Sequence, residues 1–416
     1  MKKLIIFMLA VSFTYSEQYD MERCIKEALT KTSLSKQKDL YSRQAEFNKK
    51  NISSNWLPKI NLDGQFTYQS DVFALPFKIP NVTINEIPKE QYKINLNINQ
   101  MVYDGGLTNS LIQKNEAESQ SNSMQVESNL DKIKDKVIKN YLNAIILKKS
   151  LEIIAIAIVR LDFEKDRVIS MLQNGVATKG MIAKFDLEIN KLNQKMINAS
   201  NDLVKINNSM KELIGLDIDL NSYILPKEPE IINREINRKE LKVMEEKMKL
   251  MEASKKTSES TILPKVFLFA QGGYGAPNQF NMFETNGDLF YIAGVKINWE
   301  LWDWNNSTRN SEILEINKQI IESEKDNLEE MIRIEQLVAR NEINKNEELF
   351  INATKQLELQ KIIIEERKSQ LDNGITTIND YLIELNALTD FELNIELHKI
   401  NLLYSKINLQ NIGGNY

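Results

Sequence analysis

The stretch QYKINLNINQMVYDGGL, Gln91 to Leu107, decides how this chain folds. Tyr92, Ile94, Leu96 and Ile98 alternate with Lys93, Asn95, Asn97 and Asn99. That period of two predicts a strand with one apolar and one polar face. The alternation fades at Tyr103, and Asp104-Gly105-Gly106 reads as a turn. Beyond the turn no proline occurs until Pro226, and between Leu107 and Leu213 the only glycines are Gly175 and Gly180. Proline costs a helix interior about 3 kcal/mol, so this gap permits very long helices. Leu107 to Leu172 would run roughly 100 Å as one helix. No ordinary globular core has that length, so such a helix must lie along other helices.

The helical half has its own periodicity. Phe185, Ile189, Leu192, Met196, Ala199, Leu203, Ile206, Met210 and Leu213 follow at alternating steps of four and three. This is a coiled-coil seam. Ile313, Ile316 and Ile320, then Met331, Ile334 and Val338, repeat the same steps later in the chain.

The whole pattern occurs twice. A shift of 199 residues places Tyr92 on Tyr291, Asn99 on Asn298, Asp104 on Asp303, Gly175 on Gly374 and Thr178 on Thr377. Upstream the shift is 206, with Leu57-Pro58-Lys59 on Leu263-Pro264-Lys265. The expected organisation is a leader over 1–16, marked by Lys2, Lys3 and an apolar run to Phe13. Repeat 1 follows over 17–215: helix 20–55, strands 58–70 and 91–103, long helix 106–172, tip 173–178 and helix 179–214. A linker covers 216–235. Repeat 2 spans 236–416: helix 236–260, strands 264–275 and 288–302, long helix 305–371, tip 372–377 and helix 378–412. Pro76, Pro80, Pro88 and Pro277 mark loops between strands.

The strands have the length of tilted membrane strands, and their alternation suits lipid on one side and water on the other. On that reading Lys93, Asn95, Asn97 and Asn99 face a lumen. Trp56, Tyr103, Trp299, Trp302 and Trp304 cluster at strand ends as an interfacial girdle would. Four strands cannot close a barrel, and open edges are not tolerated in hydrocarbon. The barrel must therefore be shared among several chains. The fold class expected is mainly α, with a β-barrel contribution from each chain.

Several functions are excluded early. Net charge is −5 with no basic block, which argues against nucleic acid. Cys24 and His398 are the only residues of their kinds, which removes cysteine clusters and histidine-based catalysis or zinc sites. No carboxylate stands in a catalytic context, so no enzyme activity, cofactor or metal is expected.

The chain resembles the outer-membrane efflux protein family of TolC type over essentially its whole mature length. The resemblance rests on Leu57-Pro58-Lys59, on Gln100 to Gly106, on Leu301-Trp302-Asp303-Trp304, on the tips Leu172 to Thr178 and Leu371 to Thr377, and on the closing Gly215 and Gly414. It implies a homotrimer with a twelve-stranded barrel in the outer membrane of a Gram-negative-type bacterium. A helical tunnel would continue through the periplasm to an adaptor and an inner-membrane pump. The tips would dock the adaptor through Leu172, Gly175, Thr178, Leu371, Gly374 and Thr377. Asp380 stands where the family narrows through acidic residues, with Glu384 one turn on. Ile383 and Met181 occupy positions where an acid is common, and Asp380 is equally suited to a helix first turn. The function implied is a passive export conduit of an efflux or type I secretion system. The alternative is a structural or adhesive coiled-coil protein anchored by its barrel.

Overall fold

The computed structural model describes residues 20–73, 87–219, 222–230, 236–281 and 284–415. The leader expected over 1–16, Pro76, Pro80 and part of the linker lie outside these. The element order is α1 (Met21–Lys31), α2 (Leu34–Ser53), β1 (Lys59–Tyr68), β2 (Glu90–Tyr103), α3 (Leu107–Gln173), α4 (Lys179–Ile214), α5 (Lys239–Ser260), β3 (Lys265–Ala276), β4 (Asp288–Asn298), α6 (Asn306–Asp372) and α7 (Ile378–Ile412). Two compact units share these elements: 1–36, 126–241 and 327–416 form one, and 37–125 with 242–326 the other.

Two expected elements differ. The helix expected over 20–55 is broken at Thr32-Ser33. Thr32 leaves helical geometry at ψ 136°, and its carbonyl accepts from the Ser35 amide and hydroxyl. Hydroxyl side chains compete with the backbone ladder in this way. The strand expected over 288–302 stops at Asn298, whose partner is Lys265. Pro264 precedes Lys265 and has no N–H to extend the ladder. Trp299 and Trp302 therefore lie beyond the strand.

In the strand-bearing unit the sheet order is β1-β2-β3-β4, antiparallel throughout. β1 and β4 are its edges. Each long helix that leaves this sheet starts on an aspartate. Asp104 accepts from the Gly106 and Thr108 amides at 2.9 and 2.6 Å, and Asp303 accepts from the Ser307 amide at 2.8 Å. These carboxylates fill orphan donors at a positive helix end. The Ser307 bonds hold the Asp303 carboxyl below the usual range.

In the helical unit the α4 seam is covered. Phe185, Leu192, Leu203 and Met210 are buried, and Ile189, Met196, Ala199, Ile206 and Leu213 half-buried. One core joins Cys24 of α1, Tyr141 of α3, Met210 of α4 and Ile407 of α7. A fully buried Met210 or Ile407 contributes about 1.5–3 kcal/mol. The Tyr141 hydroxyl donates to the Ile224 carbonyl at 3.0 Å and accepts its amide at 3.1 Å, which ties the segment after α4 to that core. Burial, with Asp20 nearby, pushes the Cys24 thiol up to about 12, so it packs as a neutral side chain.

Candidate functional site: the sheet faces and the glycine tips

Register and pleat together sort every strand residue onto one of two faces. Ile60, Leu62 and Phe66 of β1 pair directly with Ile98, Leu96 and Tyr92 of β2. Ile94 and Ile98 pair with Tyr274 and Ala270 of β3, and Leu268 and Tyr274 with Val295 and Leu289 of β4. All of these side chains share one face, and most are exposed. Leu62 is 72% exposed and Tyr291 86%. A sheet in water buries its apolar face, so four strands of outward apolar residues require an apolar surrounding.

The opposite face holds the four residues singled out by their alternation. Lys93, Asn95, Asn97 and Asn99 sit opposite Gln65, Asp63, Asn61 and Lys59. Asn97 donates to the Asp63 carboxylate. Asn95 is buried, beside Gly273 and the Phe290 ring, and its Oδ1 has no hydrogen-bond partner. Along β3 and β4 this face is less polar than the first repeat suggests. It carries Phe267, Phe269 and Phe290, and Phe269 and Phe290 each pair with a glycine, Gly294 and Gly273. A Cβ on Gly294 would meet the Phe269 ring at 3.0 Å, so the rings lie over the glycines they face.

The five aromatics expected as a girdle, Trp56, Tyr103, Trp299, Trp302 and Trp304, are all exposed. The Trp302 and Trp304 rings meet edge to face, 5.9 Å apart.

The two tips belong to the helical unit and have the same build. Gly175 at φ 78° and Gly374 at φ 72° end α3 and α6 in the left-handed region. Gly175 and Val176 donate to Leu172 and Met171, and Gly374 and Ile375 to Leu371 and Gln370, at 2.8–3.0 Å. This paired pattern is a Schellman closure at each tip. Thr178 and Thr377 then open α4 and α7. Leu172 and Leu371 are half-buried against the core that holds Phe185 and Tyr381. The outward apolar residues are instead Val176, 68% exposed, and Ile375, 74% exposed. These two were missed in the sequence; their only signal was position, one residue past each glycine. Arg167 bonds both Glu164 of α3 and Asp372 at the end of α6, and Lys184 donates to Asn379 at 3.0 Å. The tips are thus fastened to each other.

Asp380 has a local partner. Its carboxylate accepts from the Thr377 hydroxyl at 2.6 Å and the Thr377 amide at 3.3 Å, while Thr377 accepts from the Asp380 amide. This is a capping box. The Thr377 hydroxyl holds the Asp380 carboxyl below the usual carboxylate range. Glu384 accepts from Gln360 at 2.7 Å.

Residues 36–216 match the sequence family described as outer membrane efflux protein. No curated protein matches the chain by sequence. Several solved outer-membrane proteins share this fold. The Campylobacter jejuni CmeC outer membrane channel aligns at TM-score 0.69 and 14% identity, over 95% of this chain and 86% of that one. VceC, an outer membrane protein of Vibrio cholerae, aligns at 0.66 and 14%, over 95% and 96%. The open state of the Neisseria gonorrhoeae MtrE outer membrane channel aligns at 0.68 and 13%, over 95% and 89%.

Proposed function

We propose that this chain, which carries the outer membrane efflux protein family's sequence over residues 36–216, is one third of an outer-membrane export conduit. Three copies would contribute twelve strands to one barrel. The exposed apolar face would meet lipid, and the face with Lys93, Asn95, Asn97 and Asn99 would line a water-filled lumen. The observation that carries this reading is that apolar face, held in register across four strands whose outer edges belong to β1 and β4. Lipid is the apolar surrounding that tolerates such a face, and it tolerates no unpaired strand edge. Pairing β4 of one copy with β1 of the next removes both edges.

The α6 seam supports the same reading. Ile313, Ile316, Ile320, Met331, Ile334 and Val338 are exposed in the single chain, unlike the seam on α4. A neighbouring copy would cover them. The helical part would stand in the periplasm. Its tips, with Gly175, Thr178, Gly374 and Thr377, would meet an adaptor coupled to an inner-membrane pump. Val176 and Ile375 would supply the apolar contacts there, and Asp380 and Glu384 the carboxylates around the aperture. The conduit is passive; its energy and selectivity for cargo come from its partners.

The test is native mass spectrometry of the detergent-extracted protein, followed by single-channel recording of the same species. Three chains and discrete conductance steps are expected. A trimer that never conducts, even with an adaptor bound, would favour the anchored adhesive alternative.

A further inference from the structure

Resting on the conduit reading, we infer that the barrel lumen carries an anion-attracting collar formed by Lys59, Lys265 and Lys296. The register places the three lysines on the lumen face, in consecutive rows at the helix-proximal end of the sheet. Lys59 shares a row with Asn99, Phe269 and Gly294. The next row is Met101, Phe267 and Lys296. Lys265 and Asn298 form the row after that. Rows on one face lie about 7 Å apart, so the three charges fall within roughly 14 Å along the lumen.

No carboxylate occupies these rows. The sheet's lumen-facing acids, Asp63 and Asp288, sit two and three rows further toward the strand-loop end. Asp63 is engaged by Asn97, and Asp288 shares its row with Lys93. Glu300 follows the last row by two residues and lies outside the sheet. Counting it still leaves the three rows positive by two charges per chain; Asp104 and Asp303, beyond the sheet, are engaged by the first amides of α3 and α6. Lys59 and Lys296 are exposed and Lys265 half-buried. Among the described residues none of the three pairs with a carboxylate.

Closure around a symmetry axis multiplies the effect. Three copies bring nine lysines to one short stretch of lumen. Their spacing is comparable to the Debye length of about 8–10 Å, so neighbouring fields add and are not screened apart. A narrow wall of low dielectric focuses such a field and raises the local concentration of the opposite charge by about tenfold or more. The collar therefore favours anionic solutes at the entrance from the helices into the barrel.

The experiment is a reversal-potential measurement under a KCl gradient across a planar bilayer, with the assembled wild-type protein and two variants. One carries Lys59→Gln, Lys265→Gln and Lys296→Gln together; the other carries Glu at the same three positions. Conductance from the variants shows that they assemble. The chloride-to-potassium permeability ratio is expected to fall severalfold with Gln and to fall further, below one, with Glu. An unchanged ratio in conducting channels overturns the collar and leaves the conduit standing. Absence of conductance from the assembled wild type, even with an adaptor bound, removes the conduit, and the collar with it.

Discussion

Replacing Leu62 by arginine separates a lipid-facing sheet from a water-facing one. Leu62 is the fourth residue of the ten in β1, one and a half residues from the strand's middle. At about 3.3 Å per residue and a tilt near 40°, a strand centred in the bilayer would place it roughly 4 Å from the midplane. Its row mates are Leu96, Gly272 and Tyr291, none of which offers an acceptor side chain near the strand. An arginine at such depth costs about 2–4 kcal/mol per chain. Three chains in one barrel raise the cost to roughly 6–12 kcal/mol for the assembly. Asn61→Arg is the control, one residue away and on the opposite face. There the guanidinium meets water and adds to the positive lumen, at a cost within about 0.5 kcal/mol. The assay is urea titration of folding into phosphatidylcholine vesicles, followed by tryptophan fluorescence. Leu62→Arg should shift the midpoint strongly or abolish insertion, and Asn61→Arg should leave it near wild type. Equal loss from both, or a silent Leu62→Arg, would refute the assignment of faces.

Val176→Asp combined with Ile375→Asp should leave the melting temperature unchanged, because both side chains are exposed, while co-purification of the proposed adaptor should be lost. Gly175→Ala or Gly374→Ala adds a Cβ that touches nothing within 4 Å. Only the left-handed backbone is penalised, by about 1–2 kcal/mol, so tip amides should exchange hydrogen roughly 5–30 times faster while the barrel is unaffected. Asp380 has a folded pKa below its ordinary value because Thr377 bonds its charged form. Its contribution is therefore complete above about pH 4 and is lost as pH falls through the lowered folded value. Protection of the first turn of α7 should weaken on acidification below pH 4 in the wild type; in Asp380→Asn it should be weaker at neutral pH and flat across that range.

The sequence was most legible where one physical demand acts alone. From Tyr92 to Asn99 every second residue answers to the same surrounding, so a simple period emerges. The α4 seam is legible for the same reason, because its nine positions all turn toward neighbours in the same unit. β3 was harder to read. The face it shares with Asn95 mixes Phe267 and Phe269 with Gly273 and Gly275, since rings there cover glycines on the adjacent strand. Such compensation crosses strands and leaves no period within one of them. The break at Thr32-Ser33 depends on hydroxyl bonds that any Thr-Ser pair could make or omit. The end of β4 at Asn298 is set by Pro264, a residue in a different strand's approach. At the tips, the glycines and threonines were visible as punctuation. Which apolar residue points outward was not, because Leu172 and Val176 differ only in where the helix has already turned. Asp380 shows the same limit: one carboxylate can serve a capping box and an aperture, and spacing alone does not separate them.

The duplication is unequal at one turn, and the inequality bears on how copies meet. Gly105 and Gly106 in the first repeat adopt φ 68° and 86°; their counterparts Trp304 and Asn305 adopt φ 57° and 58°. The second repeat thus keeps a left-handed turn without glycine, at a cost of about 1–2 kcal/mol per residue. At Gly105 a side chain is impossible, because a Cβ would collide with Leu263. Leu263 is the second repeat's copy of Leu57, so this contact joins repeat 1 to repeat 2 within a chain. In the proposed trimer, continuing the same repeat-to-repeat step would place Leu57 of a neighbouring copy against Trp304. Both are exposed in the single chain, Trp304 at 77%. The indole cannot enter a gap that only glycine fits, so in the proposed trimer the seam between copies would have to be wider here than the seam within one. In the proposed trimer a ring of six equivalent repeats would become a ring of three pairs, with Trp304 filling the wider seam. Leu57→Cys and Trp304→Cys, combined in a Cys24→Ala background and treated with a short bismaleimide, should yield two- and three-chain bands on a denaturing gel. Either cysteine alone should not. Crosslinks confined to single chains, or none from a fully assembled oligomer, would show that the repeats do not continue around the ring in this order.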